Sequence, residues 1–169
     1  MYAQTLQEML TDRGYTGVPL LHSTTFVNPD TLVAIYADTK LGISNVKEIT
    51  QLLEDNTDAK RCIVVYKGNI TPYAKSALNA LEQSIETFST SELNYNVTRH
   101  TLVPKHELMD NTFKTELCSQ LRISEKKLPV MHKTDPVARY YGANVGQLFK
   151  ITRIGFDGRQ SPYFRIVVP

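Results

Sequence analysis

The residues of this chain that come nearest to a catalytic pattern are two acidic residues and a lysine in its N-terminal part. Pro29-Asp30 is followed by Asp38-Thr39-Lys40, which matches the PD…(D/E)xK pattern of metal-dependent nucleases. In such enzymes two carboxylates hold a divalent cation and the lysine steadies the attacking water. That chemistry requires both acidic side chains to converge on one ion, so it depends on the structure between them.

The segment between these acids is predicted to be a buried strand. Residues 31–37, TLVAIYA, form an apolar and partly β-branched run of strand length. At about 3.3 Å per residue, eight residues of strand place Asp30 and Asp38 roughly 26 Å apart. We therefore expect them at opposite ends of one strand, where they cannot share a metal. A metal-dependent nuclease-like enzyme on this half of the chain remains an alternative hypothesis.

The other reactive side chains form no recognisable catalytic or metal-binding motif. The Gly14-Tyr15-Thr16-Gly17 segment lacks the Lys-Ser/Thr of a P-loop. Cys62 and Cys118 stand in apolar surroundings without a CxxC partner, which is typical of free thiols in a reducing compartment. The histidines show neither an HxxxH pair nor a cysteine at ligand spacing; they are His22, His100, His106 and His132. We expect no catalytic residue, no metal and no cofactor.

The composition predicts a folded intracellular protein with two differently charged halves. Hydrophobic residues make up 41% of the 169 residues and charged residues 21%, which argues against disorder. No apolar run is long enough to span a bilayer, and the first residues do not resemble a signal peptide. Residues 1–96 contain 7 Lys and Arg against 11 Asp and Glu, whereas residues 97–169 contain 12 against 6. This split predicts two modules.

The first module, residues 1–95, is predicted to be a small α/β domain with a largely parallel sheet flanked by helices. Apolar spacing indicates a helix that ends at Gly14, and Ser44 is the expected cap of a second helix. Buried strands are predicted at 31–37 and 61–66, and a third strand at 85–88. Strands that alternate with helices pair in parallel through right-handed crossovers.

The second module, residues 96–169, is predicted to be a small α+β domain that ends in a β-hairpin. Asp135-Pro136 is a strong helix start, with aspartate as the cap and proline in the first turn, for a short helix at 137–141. Residues 147–154 and 161–168 read as two strands joined around a glycine-rich turn at 155–158.

One candidate contact surface lies at the predicted turn before the third helix. Thr71 caps this helix and Pro72 occupies its first position, where a missing N–H costs nothing. Free N–H groups at a helix start carry partial positive charge and can face a phosphate. Tyr73 and Lys75 add a hydroxyl and a cation, and such contacts position a duplex without reading its sequence. An ordinary strand-to-helix turn is the competing interpretation.

A second candidate surface surrounds the short helix of the C-terminal module. One side chain of Arg139-Tyr140-Tyr141 must face inward on so short a helix. The others combine a planar cation with an aromatic ring, the residue types enriched at interface anchors. The hairpin adds a basic face formed by Lys150, Arg153, Arg159 and Arg165. Surface decoration and a docking interface are equally compatible with this pattern.

The order of several short blocks resembles one known family. Leu102-Val103-Pro104-Lys105-His106, then Leu128-Pro129, then 135–142 (DPVARYYG) and the basic hairpin resemble the assembly module of the small fifth subunit of multisubunit RNA polymerases, a family with archaeal as well as eukaryotic members. The resemblance continues upstream in Met9 to Tyr15, in Val64 to Pro72 and in Ile85 to Phe88. It covers nearly the whole chain, whereas the archaeal form resembles only residues from about 97 onward.

This resemblance implies a non-catalytic subunit of a eukaryotic-type DNA-directed RNA polymerase. Residues 1–95 would be a jaw module beside downstream double-stranded DNA, which the turn at Thr71, Pro72 and Tyr73 would approach through weak phosphate contacts. Residues 96–169 would be the assembly module that docks on the largest subunit. The family's docking regions carry over to Pro104, His106, Asp135, Pro136, Arg139 and Tyr140.

The chain also departs from the family pattern in two places. The segment between Gly14 and Thr31 is shorter, and Gly155-Phe156-Asp157-Gly158-Arg159 replaces a Ser-Glu-Thr-like stretch. These departures suggest a divergent lineage, for which we expect a large DNA virus as the source. The expected location is the nucleus for a cellular protein, and the virion or a cytoplasmic viral factory for a viral one. A generic adaptor that binds acidic partners through its basic module is a third hypothesis.

Overall fold

The computed structural model describes residues 2–15, 24–28, 30–36, 40–56 and 59–169. The chain divides into two compact units, Met1–Tyr95 and Asn96–Pro169, called unit 1 and unit 2 below. The division coincides with the change in charge sign along the sequence. Within the described ranges, no helix combines the length and apolar character needed to cross a membrane.

Unit 1 contains a four-stranded sheet in which the three predicted strands run in parallel. The strand order is β1-β2-β3-β4, in which β2, β3 and β4 are parallel and β1 is antiparallel to β2. The predicted parallel pairing is therefore confirmed, whereas the four-residue β1 was too short to predict. The elements are α1 (Tyr2–Asp12), β1 (Thr25–Asn28), β2 (Thr31–Tyr36), α2 (Ile43–Asp55), β3 (Arg61–Tyr66), α3 (Pro72–Asn79), β4 (Ser84–Ser89) and a 3₁₀ turn, Glu92–Asn94.

The core of unit 1 explains why these strands read as continuous apolar runs. Strands β2 and β3 are buried along nearly their whole length, as expected for parallel strands covered on both faces. Alternate residues such as Leu32 and Val64 pack in one cluster with α2 and α3. Helix α2 contributes Val46, Ile49 and Leu53 to this cluster, at the spacing of one helix face.

The ends of the first two helices give one confirmed prediction and one correction. After α1, Tyr15 N–H donates to Leu10 at 2.9 Å and Gly14 N–H donates to Thr11 at 2.9 Å, with Gly14 at φ +80°. This is the glycine-terminated end that the sequence predicted. The expected cap Ser44 is wrong, because α2 is capped at Gly42. The Asn45 side chain accepts from the Gly42 N–H at 3.1 Å, so it completes the turn that serine was expected to close.

Unit 2 contains a second four-stranded sheet, of order β5-β7-β8-β6. Strands β7 and β8 form the predicted hairpin, β5 is antiparallel to β7, and β6 is parallel to β8. The short strands β5 and β6 were not predicted. The elements are a 3₁₀ turn, Val97–Arg99, then β5 (Lys105–Met109), α4 (Asn111–Leu121), a 3₁₀ turn, Glu125–Lys127, β6 (Val130–His132), α5 (Pro136–Tyr140), β7 (Leu148–Ile154) and β8 (Gln160–Val168).

The sheet of unit 2 packs apolar residues on both of its faces. Phe149 and Ile151 lie in a cluster with Val137 and Ala138 of α5. Leu148 lies in a separate cluster with Leu117 of α4 and partly buried residues around it. Since successive side chains of a strand point to opposite faces, β7 supplies one core with its odd-numbered residues and the other with its even-numbered ones. The face that carries Phe149 and Ile151 is called face A below, and the opposite face is called face B.

Candidate docking and nucleic-acid surfaces

The turn before α3 has the geometry that the sequence predicted. Thr71 is extended and its side chain accepts from the Ala74 N–H at 3.3 Å, with Pro72 in the first turn. Ala74 and Leu78 are buried and anchor α3 in the core of unit 1. The predicted contact residues Thr71, Pro72, Tyr73 and Lys75 are all exposed, and Tyr73 keeps 73% of its surface open. The structure therefore brings these four residues together at one helix start.

The donor groups of this turn are fewer than a generic helix start would offer. Proline supplies no N–H, the Ala74 N–H is used by the Thr71 cap, and the Lys75 N–H donates to the Thr71 carbonyl at 3.0 Å. A phosphate at this turn would therefore meet the Tyr73 N–H, the Tyr73 hydroxyl and the Lys75 ammonium. Contact of this kind is weak and insensitive to sequence.

Two further lysines stand at the same edge of the sheet. Lys67 is exposed at the end of β3, directly before Gly68 at φ +72°. Lys40 is exposed on the connection to α2, and this connection is held to the α3 turn because the Thr71 N–H donates to the Leu41 carbonyl at 3.4 Å. Ligands of open α/β sheets bind at the carboxyl ends of parallel strands. We call Lys40, Lys67, Tyr73 and Lys75 the lysine edge.

The sequence interpretation did not single out Lys40 as a cation of this surface, and it did not mention Lys67. Both follow a buried parallel strand within a few residues. The carboxyl ends of neighbouring parallel strands meet at one edge, so this position along the chain was the available signal.

In unit 2, His106 lies at the centre of the predicted docking residues. Its Nδ1 is 2.7 Å from the Pro104 carbonyl oxygen, and its ring meets the buried Phe149 edge-on, with 6.0 Å between ring centroids. Burial lowers the pKa of His106, and the cations of Arg165 and Arg153 act in the same direction. The Pro104 carbonyl and the carboxylate of Asp135 oppose this shift. His106 of the first sequence block is thus close enough to Asp135 of a later block for the two side chains to interact electrostatically.

The short helix α5 starts as predicted and buries one of its aromatic residues. The Asp135 side chain accepts from the Val137 N–H at 2.8 Å, and Pro136 stands in the first turn. Tyr140 is buried with 4% of its surface open, and its hydroxyl accepts from the Asn96 side-chain amide at 3.0 Å. Pro136 is exposed and Arg139 is half-buried. Tyr140 therefore supports this surface from within, while Pro136 and Arg139 reach its exterior.

Aromatic contacts connect α5 to His106 through the core. The ring centroids of Tyr140 and Tyr141 are 5.3 Å apart, and those of Tyr141 and Phe149 are 5.8 Å apart. With the contact between Phe149 and His106, four rings form a continuous series. Edge-on and tilted contacts at these distances are favourable beyond the area that they bury, so they fix α5 against the sheet.

Two of the basic hairpin residues lie on the same face as His106. The register aligns His106 with Ile151 and Tyr163 across the sheet. The guanidinium carbons of Arg153 and Arg165 lie 4.5 Å and 5.8 Å from the Tyr163 ring centroid. Among the described residues, the buried Nε of Arg165 finds no hydrogen-bond partner. We call Pro104, His106, Asp135, Pro136, Arg139, Arg153, Tyr163 and Arg165 the face A cluster.

The nuclease pattern gains no support from the described residues. The Asp30 side chain accepts from the Thr31 hydroxyl at 3.0 Å, and its carbonyl oxygen accepts from the N–H groups of Lys60 and Arg61. Pro29, Asp38 and Thr39 lie outside the described residues, as do His22, Thr16 and Gly17 of the other motifs considered. In the part of the chain that the structure describes, no group of three or more His, Cys, Asp or Glu could hold a metal ion.

Both cysteines are free thiols in different surroundings. Cys62 is buried in strand β3, whereas Cys118 is partly buried in α4. Burial, with a smaller contribution from the charge of Glu86, raises the pKa of Cys62 to about 12. Cys62 is therefore a protonated apolar side chain at neutral pH.

Unit 1 is built on a largely parallel sheet and unit 2 on a mixed sheet, and both were compared with known proteins. Residues 95–167 match the family described as RNA polymerase Rpb5, C-terminal domain. This match covers unit 2 almost completely, including the face A cluster. Unit 2 is therefore similar to the Rpb5 C-terminal domain along nearly its whole length.

Curated relatives extend the similarity into unit 1. The chain is 40% identical over 129 residues to "DNA-directed RNA polymerases I, II, and III subunit rpabc1" of Dictyostelium discoideum, covering 73% of the chain and 65% of that protein. It is 37% identical over 133 residues to RPABC1 of Caenorhabditis briggsae, covering 78% and 63%. Over 90 residues it is 37% identical to "DNA-directed RNA polymerases IV and V subunit 5B" of Arabidopsis thaliana, covering 53% and 41%.

The chain is thus similar to proteins named as RPABC1 or subunit 5B of DNA-directed RNA polymerases, the family that the sequence blocks resemble. It spans just under two thirds of the length of the Dictyostelium and Caenorhabditis relatives.

Proposed function

We propose that the chain is a non-catalytic subunit of a DNA-directed RNA polymerase and acts in transcription as a structural component. The observation that carries this proposal is the match of residues 95–167 to the Rpb5 C-terminal domain, together with relatives named as polymerase subunits. The catalytic chemistry would belong to other subunits. In a cell the protein would work where the polymerase works, inside the cell and in the nucleus of a eukaryote.

Unit 2 is the proposed assembly module, and the largest polymerase subunit is its proposed partner. The face A cluster supports this role because it combines a rigid apolar base with exposed polar and cationic groups. Phe149 is fully buried beneath His106, and Asp135 is held in place by its helix cap. Preorganised side chains lose little entropy when a partner binds.

The partner surface that fits the face A cluster must carry a negative or hydrogen-bond-accepting group. Arg153 and Arg165 flank the same aromatic ring, and the buried Nε of Arg165 lacks an acceptor among the described residues. A buried donor without a partner costs roughly 1–3 kcal/mol. Because this Nε is closed to a partner, a carboxylate or carbonyl of the partner would form its charge-assisted hydrogen bond with the exposed guanidinium of Arg153.

Unit 1 is the proposed jaw module, and downstream duplex DNA is its proposed neighbour. The lysine edge supports this role with three exposed ammonium groups and a helix start. Each neutralised phosphate steepens the salt dependence of binding by about 0.9 in logarithmic slope. A few contacts of this kind cannot hold the duplex alone, so the polymerase must hold the jaw and the duplex together.

Affinity purification of the tagged full-length chain from its native cells tests this function. The expected result is stoichiometric co-elution with the two very large chains of an RNA polymerase. Elution of the chain alone, or with enzymes unrelated to transcription, would contradict the proposal. Mass spectrometry of the co-eluting chains also identifies which polymerase the subunit serves.

A further inference from the structure

A groove in unit 2 lies apart from the proposed docking residues on α5. It is about 830 Å³ in volume and runs between the segment that leads into β5 and the far ends of β7 and β8. Its principal lining residues are Leu102, Val103, Pro104, Lys105, Arg153 and Ile154. We call it the hairpin groove. Its volume is in the range of sites that accept a small ligand or several side chains of a peptide.

Large apolar side chains at the hairpin groove are unusually exposed. Leu102 has 85% of its surface open and Ile154 has 72%. Phe156, two residues further along the hairpin, is fully exposed. Within the described residues these are the three most exposed large side chains that carry no polar atom. Single exposed apolar residues are common, but a concentration of them around a concave surface marks an interaction site.

The charges around the hairpin groove are mainly positive. Lys105 and Arg153 line it, and no acidic residue does among those described. Glu107 lies beside it in β5, 2.7 Å from the Lys105 ammonium and 3.9 Å from that of Lys150. One carboxylate therefore faces two lysines, and exposed pairs of this kind contribute little and are readily exchanged. An incoming carboxylate would find uncompensated positive charge.

The register of the sheet separates part of the hairpin groove from the face A cluster. Lys105 pairs with Thr152, and Ile154 pairs with Gln160, whereas His106 pairs with Ile151. Because the side chains of a strand alternate between the two faces, Lys105 and Ile154 lie on face B. His106 and Ile151 lie on face A. Arg153 lies on face A with Tyr163 and Val103 packs against the core of that face, so these two residues and Pro104 connect the groove to the face A cluster.

We propose that the hairpin groove binds an acidic peptide segment that carries large aliphatic or aromatic side chains, in addition to the docking proposed for face A. The apolar side chains of such a segment would cover Leu102 and Ile154, while its carboxylates would meet Lys105 and Arg153. Apolar anchors in a groove with charges at the margin form a recurring mode of peptide recognition. A nucleic acid fits less well, since duplex binding draws mainly on phosphate contacts and would leave the apolar side chains uncovered.

Retention of degenerate peptide pools on the immobilised full-length chain tests this proposal. One pool mixes Asp and Glu with Leu, Ile and Phe, a second replaces the acids by Lys, and a third replaces the apolar residues by Ser. The acidic apolar pool is expected to be retained about tenfold more strongly than either of the others, a difference of about 1.4 kcal/mol. A short DNA duplex is expected not to displace it. Equal retention of the pools, or displacement by the duplex, would overturn the proposal.

Substitutions test whether the peptide binds in the hairpin groove, and thermal unfolding tests whether each variant is folded. The double variant Leu102→Ser and Ile154→Ser is expected to lower the retention of the acidic apolar pool about tenfold, and Lys105→Glu is expected to lower it as well. The matched control is Leu121→Ser with Val145→Ser, two apolar residues of unit 2 that are also exposed but lie away from the groove. An equal loss in the control would refute the assignment to the groove. Thermal unfolding of each variant verifies that the fold is intact, since all of these side chains are exposed.

Discussion

The two units of this chain carry net charges of opposite sign, and the sign of unit 1 does not favour its proposed neighbour, DNA. Residues 1–96 hold 7 basic against 11 acidic residues, a net charge of −4, whereas residues 97–169 hold 12 against 6, a net charge of +6. The acidic unit is the one proposed to lie beside DNA. Bulk electrostatics would therefore repel a duplex from unit 1. If unit 1 lies beside a duplex as proposed, it must act through the lysine edge and rely on the binding proposed for unit 2 to hold the chain on the polymerase.

The largest expected effect concerns the support of the face A cluster. Phe149→Ala removes a fully buried ring between His106 and Tyr141 and is expected to cost about 3–5 kcal/mol of unfolding free energy. Chemical denaturation measures it. The matched control is Phe156→Ala, the same substitution at a fully exposed position, which is expected to change stability by less than about 0.5 kcal/mol. Equal effects of the two substitutions would contradict the packing described for unit 2.

A smaller effect is expected when the lysine edge is reversed in charge. Within the assembled polymerase, Lys67→Glu combined with Lys75→Glu should weaken the grip on downstream duplex and reduce the salt dependence by about 0.9 in slope per lost phosphate contact. Titration of duplex binding against salt concentration measures this. Lys47→Glu, at an exposed position of α2, is the control and should leave the slope unchanged. If Lys47→Glu lowers the slope as the double variant does, the net charge of unit 1 determines duplex binding and the turn before α3 does not.

Substitutions at two helix ends, one in each unit, are expected to change the free energy of unfolding in opposite directions. Helix α1 ends with Gly14 at φ +80°, whereas α4 ends with Arg122 at φ +51° in the same hydrogen-bonded turn, with Ile123 N–H donating to Cys118 at 3.1 Å. A side chain in this left-handed region costs about 1 kcal/mol. Gly14→Ala should therefore destabilise the protein and Arg122→Gly should stabilise it, each by about 1 kcal/mol. Among the described residues other than its two chain neighbours, no atom lies within 4 Å of a Cβ built on Gly14, so the expected loss comes from the backbone conformation.

The smallest expected effect is a pH dependence that comes from His106 in unit 2. Its pKa is lowered from 6.5, chiefly by burial, so the unfolded chain takes up the proton first as the pH falls. The stabilisation from neutral His106 is full above pH 6.5 and is lost as the pH drops below that value. His106→Asn, which retains an N–H near the Pro104 carbonyl, should remove this part of the pH dependence. The free energy of unfolding of the unsubstituted chain and of His106→Asn is compared at about pH 7.5 and about pH 5.5. An equal change with pH in the two proteins would contradict the assignment to His106.

The elements that were predictable are those with strong local signals. Asp135-Pro136 and Thr71-Pro72 each combine a capping side chain with a proline in the first turn, and both start helices as expected. Strands β2 and β3 of unit 1 were evident because burial on both faces gives continuous apolar runs, whereas β4, at the edge of the sheet, has only two buried residues. The short strands β1, β5 and β6 were missed because three to five residues carry too little pattern. Each forms only by pairing with a longer neighbour.

The candidate surfaces were only partly predictable, since they depend on tertiary register. The sequence indicated His106 and Asp135 through a resemblance, but the proximity of Arg153, Tyr163 and Arg165 follows from how β5, β7 and β8 align. Tyr140 could not be told from Tyr141 as the inward-facing ring, because both fit the core side of a five-residue helix. The hairpin groove has no signature in the sequence at all, because it forms between two segments that are far apart along the chain.

The central claim is that unit 2 anchors the chain to a polymerase through face A. Arg139→Glu, which reverses a half-buried charge on α5, should leave the free chain folded yet release it from the polymerase, since anchors of this type often contribute about 2 kcal/mol or more. Lys126→Glu, an equal charge reversal at an exposed position of the 3₁₀ turn before β6, is the control. The decisive measurement is the amount of each tagged variant that co-purifies with the large polymerase chains. Strong loss for Arg139→Glu alone is predicted, and normal co-purification of a folded Arg139→Glu variant would contradict the account.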